Sequence, residues 1–190
     1  MLWRPSAPPA GFIEPCLPTL SESVPSGPEW VHEIEHDGYR FICRREGDGV
    51  RVFSRRGNDY TDRVPAIADA LGALKVKSVT LDGEGVVCDP DGVTDFVLLR
   101  AALGRKGSRR AFLYAFDVLE LDGRDLRDRP WGAAAEGPDE ALAQSARRHP
   151  VVGPFGHDRR RHALPPRLRD GARRHRSEAP RSAISVRTIS

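Results

Sequence analysis

The sequence predicts an α+β domain built on an antiparallel sheet, followed by an irregular, arginine-rich tail. Three observations carry this prediction. Short runs of alternating apolar and polar residues recur between glycine-containing turns, which is the period of half-buried strands. Two intervening stretches place apolar residues at helical spacing. The composition then breaks just after Trp131. Residues 1–131 hold 18 basic and 21 acidic side chains, a balance of −3, whereas residues 132–190 hold 12 basic and 6 acidic, a balance of +6. All 12 basic residues of the tail are arginines.

Along the chain, Trp30–Glu35 (WVHEIE) alternates as a strand and His36-Asp37-Gly38 is a turn signal. Tyr39–Arg45 (YRFICRR) alternates again, Gly47-Asp48-Gly49 has hairpin composition, and Val50–Arg55 (VRVFSR) returns. Residues 30–56 therefore read as three antiparallel strands. Asp62 offers an N-cap to Val64, Ile67, Ala70, Leu71 and Leu74, predicting a helix near 63–74. Ser78–Cys88 (SVTLDGEGVVC) reads as a strand interrupted by Gly83 and Gly85, the mark of a bulge or of close ligand approach. Thr94 or Asp95 caps a second helix near 95–103, with Phe96, Leu99 and Leu103 on one face. Ala111–Leu119 (AFLYAFDVL) reads as a central strand, and Leu121-Asp122-Gly123 as another hairpin turn.

The tail shows neither helical nor strand periodicity. Its nine Leu, Ile, Val and Phe make up about 15% of it, under the ~20% at which a chain stops building a core. Three readings stay open: a basic arm that contacts nucleic-acid phosphates, a solvated linker, or a stretch translated out of frame from GC-rich DNA. No apolar run approaches the ~18 residues of a membrane span, and the first residues lack the apolar core of a secretion signal. Cys16, Cys43 and Cys88 are odd in number and include no CxxC pair, which argues against a disulfide framework or a zinc finger. A reducing cytoplasmic compartment is expected.

The order of short motifs in 12–130 resembles the adenylation domain of ATP-dependent DNA ligases of the bacterial end-joining type. These are covalent nucleotidyltransferases, like RNA ligases and mRNA capping enzymes. FIEPCLPTL (12–20) is similar to the lead-in segment, and EIEHDGYR (33–40) to the nucleophile motif KxDGxR at every defining position but the first. FSRRG (53–57), LDGE (81–84) and LYAFDVL (113–119) resemble the next three motifs, in order. The resemblance implies an antiparallel-sheet nucleotidyltransferase fold (ATP-grasp-type), incomplete here. It divides the chain into a flexible N-terminus at 1–11, a partial adenylation domain at 12–131 and a basic low-order tail at 132–190.

In that family a lysine amine attacks the α-phosphate of ATP to form an enzyme–AMP intermediate. AMP then passes to the 5′-phosphate of nicked DNA, and the 3′-hydroxyl displaces it, with Mg²⁺ neutralising phosphate charge. The implied roles fall on matching positions. Arg40 and Arg55 contact ribose or phosphates as forked donors. Glu84 bonds ribose or helps hold the metal. Phe116 stacks on adenine, and Glu33 reads the adenine edge with Ile34 beside it. The implied cofactors are ATP and Mg²⁺. The implied partners are nicked or broken double-stranded DNA and end-joining proteins, in DNA repair and recombination, with no membrane and a nucleoid-associated cytoplasmic location.

Two departures stand out. Position 35, the nucleophile position, is Glu35 rather than lysine. A carboxylate offers no amine, and a like charge about 4 Å from a phosphate oxygen is opposed by about 4 kcal/mol at an effective dielectric near 20. Glu33, Glu35 and Asp37 fall on one strand face, an arrangement open to a divalent ion. The family's EGxV-type and KxK-type motifs do not follow Trp131. The expected function is therefore DNA ligation by descent, in a chain impaired for catalysis. The alternatives are an inactive remnant that binds ATP or DNA, or a non-functional truncated product. Among the remaining residues, His32 and His36 read as surface histidines and Cys43 and Cys88 as small core residues. Asp82 and Asp117 read as turn-holding carboxylates. Arg105-Lys106-Gly107-Ser108-Arg109-Arg110 reads as a solvated loop or a DNA-backbone contact.

Overall fold

Strand pairing sorts the alternating runs into two antiparallel sheets. The computed structural model describes residues 11–17, 30–34, 36–104, 107, 109–128 and 184–188. The strands are β1 (Trp30–Ile34), β2 (Tyr39–Glu46), β3 (Gly49–Ser54), β4 (Ser78–Val86), β5 (Phe112–Leu121), β6 (Arg124–Asp125) and β7 (Ile184–Thr188). The helices are α1 (Pro65–Gly72) and α2 (Phe96–Ala102), and a single 3₁₀ turn at Thr61–Arg63 precedes α1. One sheet has the order β3-β2-β4-β5-β6, and β1 pairs with β7 in a second.

Hairpin chemistry fixes the first sheet locally. Glu46 faces Gly49 across the two-residue turn Gly47-Asp48, where Gly47 has φ +57°. Asp122 (φ +50°) and Gly123 (φ +81°) turn β5 into β6, with Leu121 facing Arg124. A left-handed value at the first central residue, or at both, gives the twist that two-residue hairpins favour.

The alternation of β2 divides the sheet's two faces. Phe41 and Cys43 join Val52, Leu81, Leu113 and Ala115 under Ile67, Leu71 and Leu99 of the helices, all buried. Each large side chain fully buried there contributes about 1.5–3 kcal/mol. On the opposite face Ile42, Phe53 and Leu119 form a smaller cluster, covered by Phe12 and Ile13 of the N-terminal segment. Phe12 meets the Phe53 ring edge-on, with centroids 5.8 Å apart.

Four expectations need correction. The first strand of the 30–56 run does not join β2. That edge of β2 belongs to β4, whose Gly85 lies opposite Tyr39, so β1 pairs elsewhere. The tail is not wholly irregular, because Ile184–Thr188 (ISVRT) alternates and pairs with β1 from Ile34↔Ile184 to Trp30↔Thr188. The central strand is β4, not β5. Finally, Asp62 does not cap α1. It sits within the 3₁₀ turn, and α1 starts at Pro65 behind Val64, since proline at the first helical position needs no amide partner. The second helix is capped as expected, Asp95 Oδ1 accepting from the Leu98 amide at 2.9 Å.

Candidate functional site

The sheet face turned away from the helices gathers the chemistry. Arg40 on β2, Asp82 and Glu84 on β4, and Tyr114 and Phe116 on β5 alternate with the core residues of their strands and so face away from the helices. Arg40 is opposite Glu84 in register. Its Nε donates to Asp82 Oδ1 at 2.9 Å and its Nη2 to Asp82 Oδ2 at 2.7 Å. The same guanidinium lies 5.1 Å from the centroid of the Phe116 ring. Burial works against the charge of Arg40, but the hydrogen bond and ion pair with Asp82, helped by Glu84, hold its pKa above the ordinary value. Asp82 is nearly buried. Its carboxylate binds a side chain across the strands, so the expectation that it holds a turn is corrected.

Glycines let this face form. A Cβ on Gly83 would stand 2.5 Å from the Tyr114 carbonyl oxygen, and one on Gly85 would stand 2.3 Å from Phe41 Cε2. Glu84 between them is therefore the only side chain of the DGEG run that shares this face with Asp82. The register of β4 against β5 shifts at Thr80/Leu81 and at Asp82/Gly83, with the extra residues, Leu119 and Phe116, on β5, so the irregularity lies opposite the glycine strand rather than within it.

The turn after position 35 is held on three sides. The His36 ring stacks on Tyr114 with centroids 4.0 Å apart and planes 8° from parallel, so His36 is not a loose surface residue. The Asp37 amide donates to Thr94 Oγ1 at 3.4 Å. Gly38 abuts β4, where a Cβ would come 2.5 Å from the Gly85 carbonyl oxygen. The Tyr114 hydroxyl is raised in pKa, chiefly by burial and secondarily by nearby Cys88.

The sequence-predicted residues divide accordingly. Arg40, Glu84 and Phe116 share one face. Arg55 is exposed just beyond β3, at the same end of the sheet as Arg40, because Phe41 faces Ser54 in register. Glu33 and Ile34 lie on β1 opposite Ser185 and Ile184, and their side chains fall outside the description. Glu35 lies outside the described residues. Asp82, His36 and Tyr114 were not predicted as site residues. The signal available was strand alternation, which puts Asp82 on the face of Glu84 and Tyr114 on that of Phe116.

Of the six residues at 105–110, only Gly107, Arg109 and Arg110 are described. Gly107 (φ +67°) abuts the backbone of Asp62 and Arg63, and Arg109 pairs with exposed Asp69 at 2.9 Å. At the far end of the sheet, an open depression of about 650 Å³ lies between Arg45, Leu74, Lys75, Lys77 and Asp122. Arg45 there donates to the carbonyls of Gly47 and Leu74, and none of the motif residues reach it. Among the described residues no group of three or more His, Cys, Asp and Glu gathers to hold a metal, and no helix is long and apolar enough to cross a membrane.

Comparison with known proteins bears on this arrangement. The family model for the ATP-dependent DNA ligase domain matches residues 17–144. The multifunctional non-homologous end joining protein LigD of Pseudomonas aeruginosa is 39% identical over 117 residues, covering 62% of this chain and 14% of that protein. A probable DNA ligase of Sorangium cellulosum is 36% identical over 151 residues, covering 72% of this chain and 28% of that protein. A solved mycobacterial DNA ligase D, complexed with ATP and MES, aligns over 53% of this chain and 33% of that one, at 36% identity and a TM-score of 0.45. The chain thus spans less than a third of the length of these curated relatives.

Proposed function

The chain belongs to the ATP-dependent DNA ligase family, and from that premise we propose that its described domain is an adenine-nucleotide site whose covalent step is silenced at Glu35. The observation that carries this reading is the convergence of Arg40, Glu84 and Phe116 on the sheet face turned away from the helices. Phe116 supplies an aromatic surface for adenine. Arg40, and Arg55 at the same end, supply forked donors for ribose or phosphate. Glu33 and Ile34 take the adenine edge, as the family resemblance implies. Glu84, across from Arg40 in register, suits Mg²⁺, which uses one or two protein carboxylates beside substrate phosphates. The metal would neutralise phosphate charge there.

By descent the reaction is ATP-dependent joining of nicked or broken double-stranded DNA in repair, beside end-joining proteins in the cytoplasm. In this chain Glu35 has no amine to attack the α-phosphate and brings a like charge to it, so catalysis is impaired. The competing outcome is a remnant that only binds ATP or DNA. Self-adenylylation with α-labelled ATP and Mg²⁺ separates these. Label on denatured Glu35→Lys protein, and not on the unmodified chain, is the expected result. Label on the unmodified chain overturns the silencing, and label on neither leaves the remnant.

A second reading concerns the tail beyond residue 144, where the family match ends, which we take as out of frame. The tail's Arg-only basicity favours it, and so does the genetic code. Read one nucleotide later, codons allowed for Arg173–Ala179 include those for DGIVAK, an acidic-Gly-x-Val run followed by lysine of the kind missing after Trp131. Sequencing the locus tests this. A shifted frame that does not encode this run refutes it.

A further inference from the structure

The depression at the far end of the sheet is separate from the nucleotide site. Arg45 lies near the end of β2 on the side of Phe41 and Cys43, under the helices, whereas Arg40 faces the other way. Five residues of strand at about 3.4 Å each put the two arginines about 17 Å apart along the sheet, on opposite faces. Two of the three lysines in the chain stand at this end. Lys75 and Lys77 are exposed on either side of Val76, which packs against the core. Arg45 is fixed beside them: its Nε donates to the Gly47 carbonyl at 3.0 Å and its Nη1 to the Leu74 carbonyl. One carboxylate, Asp122, lines the depression. Its Oδ1 accepts from the amides of Lys77 at 2.7 Å and Ser78 at 3.3 Å, which ties it to the backbone. Three cations thus surround about 650 Å³ of space against a single carboxylate, with Ala73 and Val76 between them. That volume is within the range of ligand sites.

We propose that this depression is a docking surface for an acidic segment of a protein partner, whose carboxylates pair with Lys75, Lys77 and Arg45. The charge excess selects an anionic partner, and the shape selects a peptide over a duplex. DNA presents one phosphate charge per about 1.7 Å of axis, as a continuous anionic surface. Laid over this concavity it would bring phosphates against Asp122 and leave Ala73 and Val76 uncovered. A peptide inserts side chains singly, with carboxylates at the charged rim and an apolar residue against Ala73 and Val76. Lysines are flexible, strongly hydrated point charges. At a rim they speed encounter and make it depend on salt. The surface lies on the other face of the sheet from Arg40 and Phe116, so a partner held there covers none of the nucleotide-site residues. The inference therefore stands apart from the nucleotide site.

The test is fluorescence anisotropy of a labelled twelve-residue peptide of Glu-Glu-Leu repeats, titrated with the full 190-residue chain at fixed ionic strength. Lys75→Glu/Lys77→Glu is expected to weaken peptide binding about ten-fold or more, the scale of two exposed ion pairs lost and reversed. Arg63→Glu/Arg100→Glu makes the same change of net charge at exposed residues elsewhere, and is expected to weaken it less than about three-fold. Equal weakening in the two variants would show that the peptide reads net charge alone, and overturns the proposal. So does failure of the unmodified chain to bind the peptide. A labelled 20-base-pair duplex is titrated in parallel. Loss of duplex binding in Lys75→Glu/Lys77→Glu, with peptide binding kept, assigns the surface to phosphates and also overturns it. Should the double reversal not fold, as judged by circular dichroism, Lys75→Ala/Lys77→Ala decides against Arg63→Ala/Arg100→Ala by the same comparison, with about three-fold or more as the expected loss.

Discussion

Gly85 is where the packing of the sheet can be tested most directly. A Cβ added there would lie 2.3 and 2.5 Å from Phe41 Cε2 and Cδ2, and 3.6 Å from Ile67 Cδ1, against the roughly 3.5–4 Å at which carbon atoms rest. The Phe41 ring would have to withdraw by about 1 Å. It has nowhere to go: Phe41 is fully buried and packed between Tyr39, stacked on it at 6.3 Å, and Tyr60, tilted against it at 5.6 Å. Overpacking of this kind costs about 1–3 kcal/mol. Restricting the unfolded chain returns about 0.4–1 kcal/mol. Gly85→Ala is therefore expected to destabilise by about 1–2 kcal/mol. Phe41→Leu alone should cost about 1–3 kcal/mol by opening space in the core. In the double variant that space receives the new methyl, so the combined loss should fall short of the sum by about 1 kcal/mol or more. Urea denaturation followed by far-ultraviolet circular dichroism measures all four corners of the cycle. Additivity within about 0.5 kcal/mol would refute the contact.

Two further outcomes follow from local hydrogen bonding. Asp95→Ala should cost about 1 kcal/mol, the usual worth of an N-cap, and should speed amide exchange at Leu98, whose donor it orphans; unchanged exchange there would remove the cap. Asp59 accepts from the Thr61 amide at 2.9 Å and hydroxyl at 2.6 Å and pairs with Arg51 at 2.5 Å. Burial opposes its charge, but these bonds prevail and its pKa is lowered. A lowered carboxylate stabilises the fold above its unfolded value, near 3.9, and loses that contribution as pH falls through the folded value. Asp59→Asn should thus be less stable than the parent at pH 7, by well under 1 kcal/mol for so exposed a pair, and the gap should close below about pH 4. A gap that is constant with pH would show that the charge contributes nothing.

The sequence told more about elements than about their neighbours. Alternation and turn chemistry located β2 and β3, the Asp122-Gly123 turn and the Asp95 cap, because each is decided within a few residues. Pairing is decided across the chain. That β2 accepts β4 rather than β1 depends on Gly38 and Gly85 touching, a contact 47 positions apart that no local pattern announces. The strand at Ile184–Thr188 was visible in its own alternation but was masked by the composition of the segment around it. At the site, motif resemblance placed Arg40, Glu84 and Phe116. Asp82 was read as a turn residue because the cation that claims it lies on another strand. Tyr114 and His36 were passed over because a stack between a turn and a strand leaves no spacing to read.

Arg40 and Asp82 are 42 residues apart in sequence, and Phe116 is on a third strand. Arg40 and Asp82 meet only once β2 and β4 are in register, and Phe116 joins them only when β5 has added to β4. No fragment, and no partially opened form that frees β4, can keep the arrangement. Occupancy of this face is consequently linked to global rather than local unfolding. A ligand at a hundred times its dissociation constant would raise the unfolding free energy by about 2.7 kcal/mol, and amides of all three strands would share the added protection. The three side chains therefore come together only in chains whose β2, β4 and β5 have paired in this register.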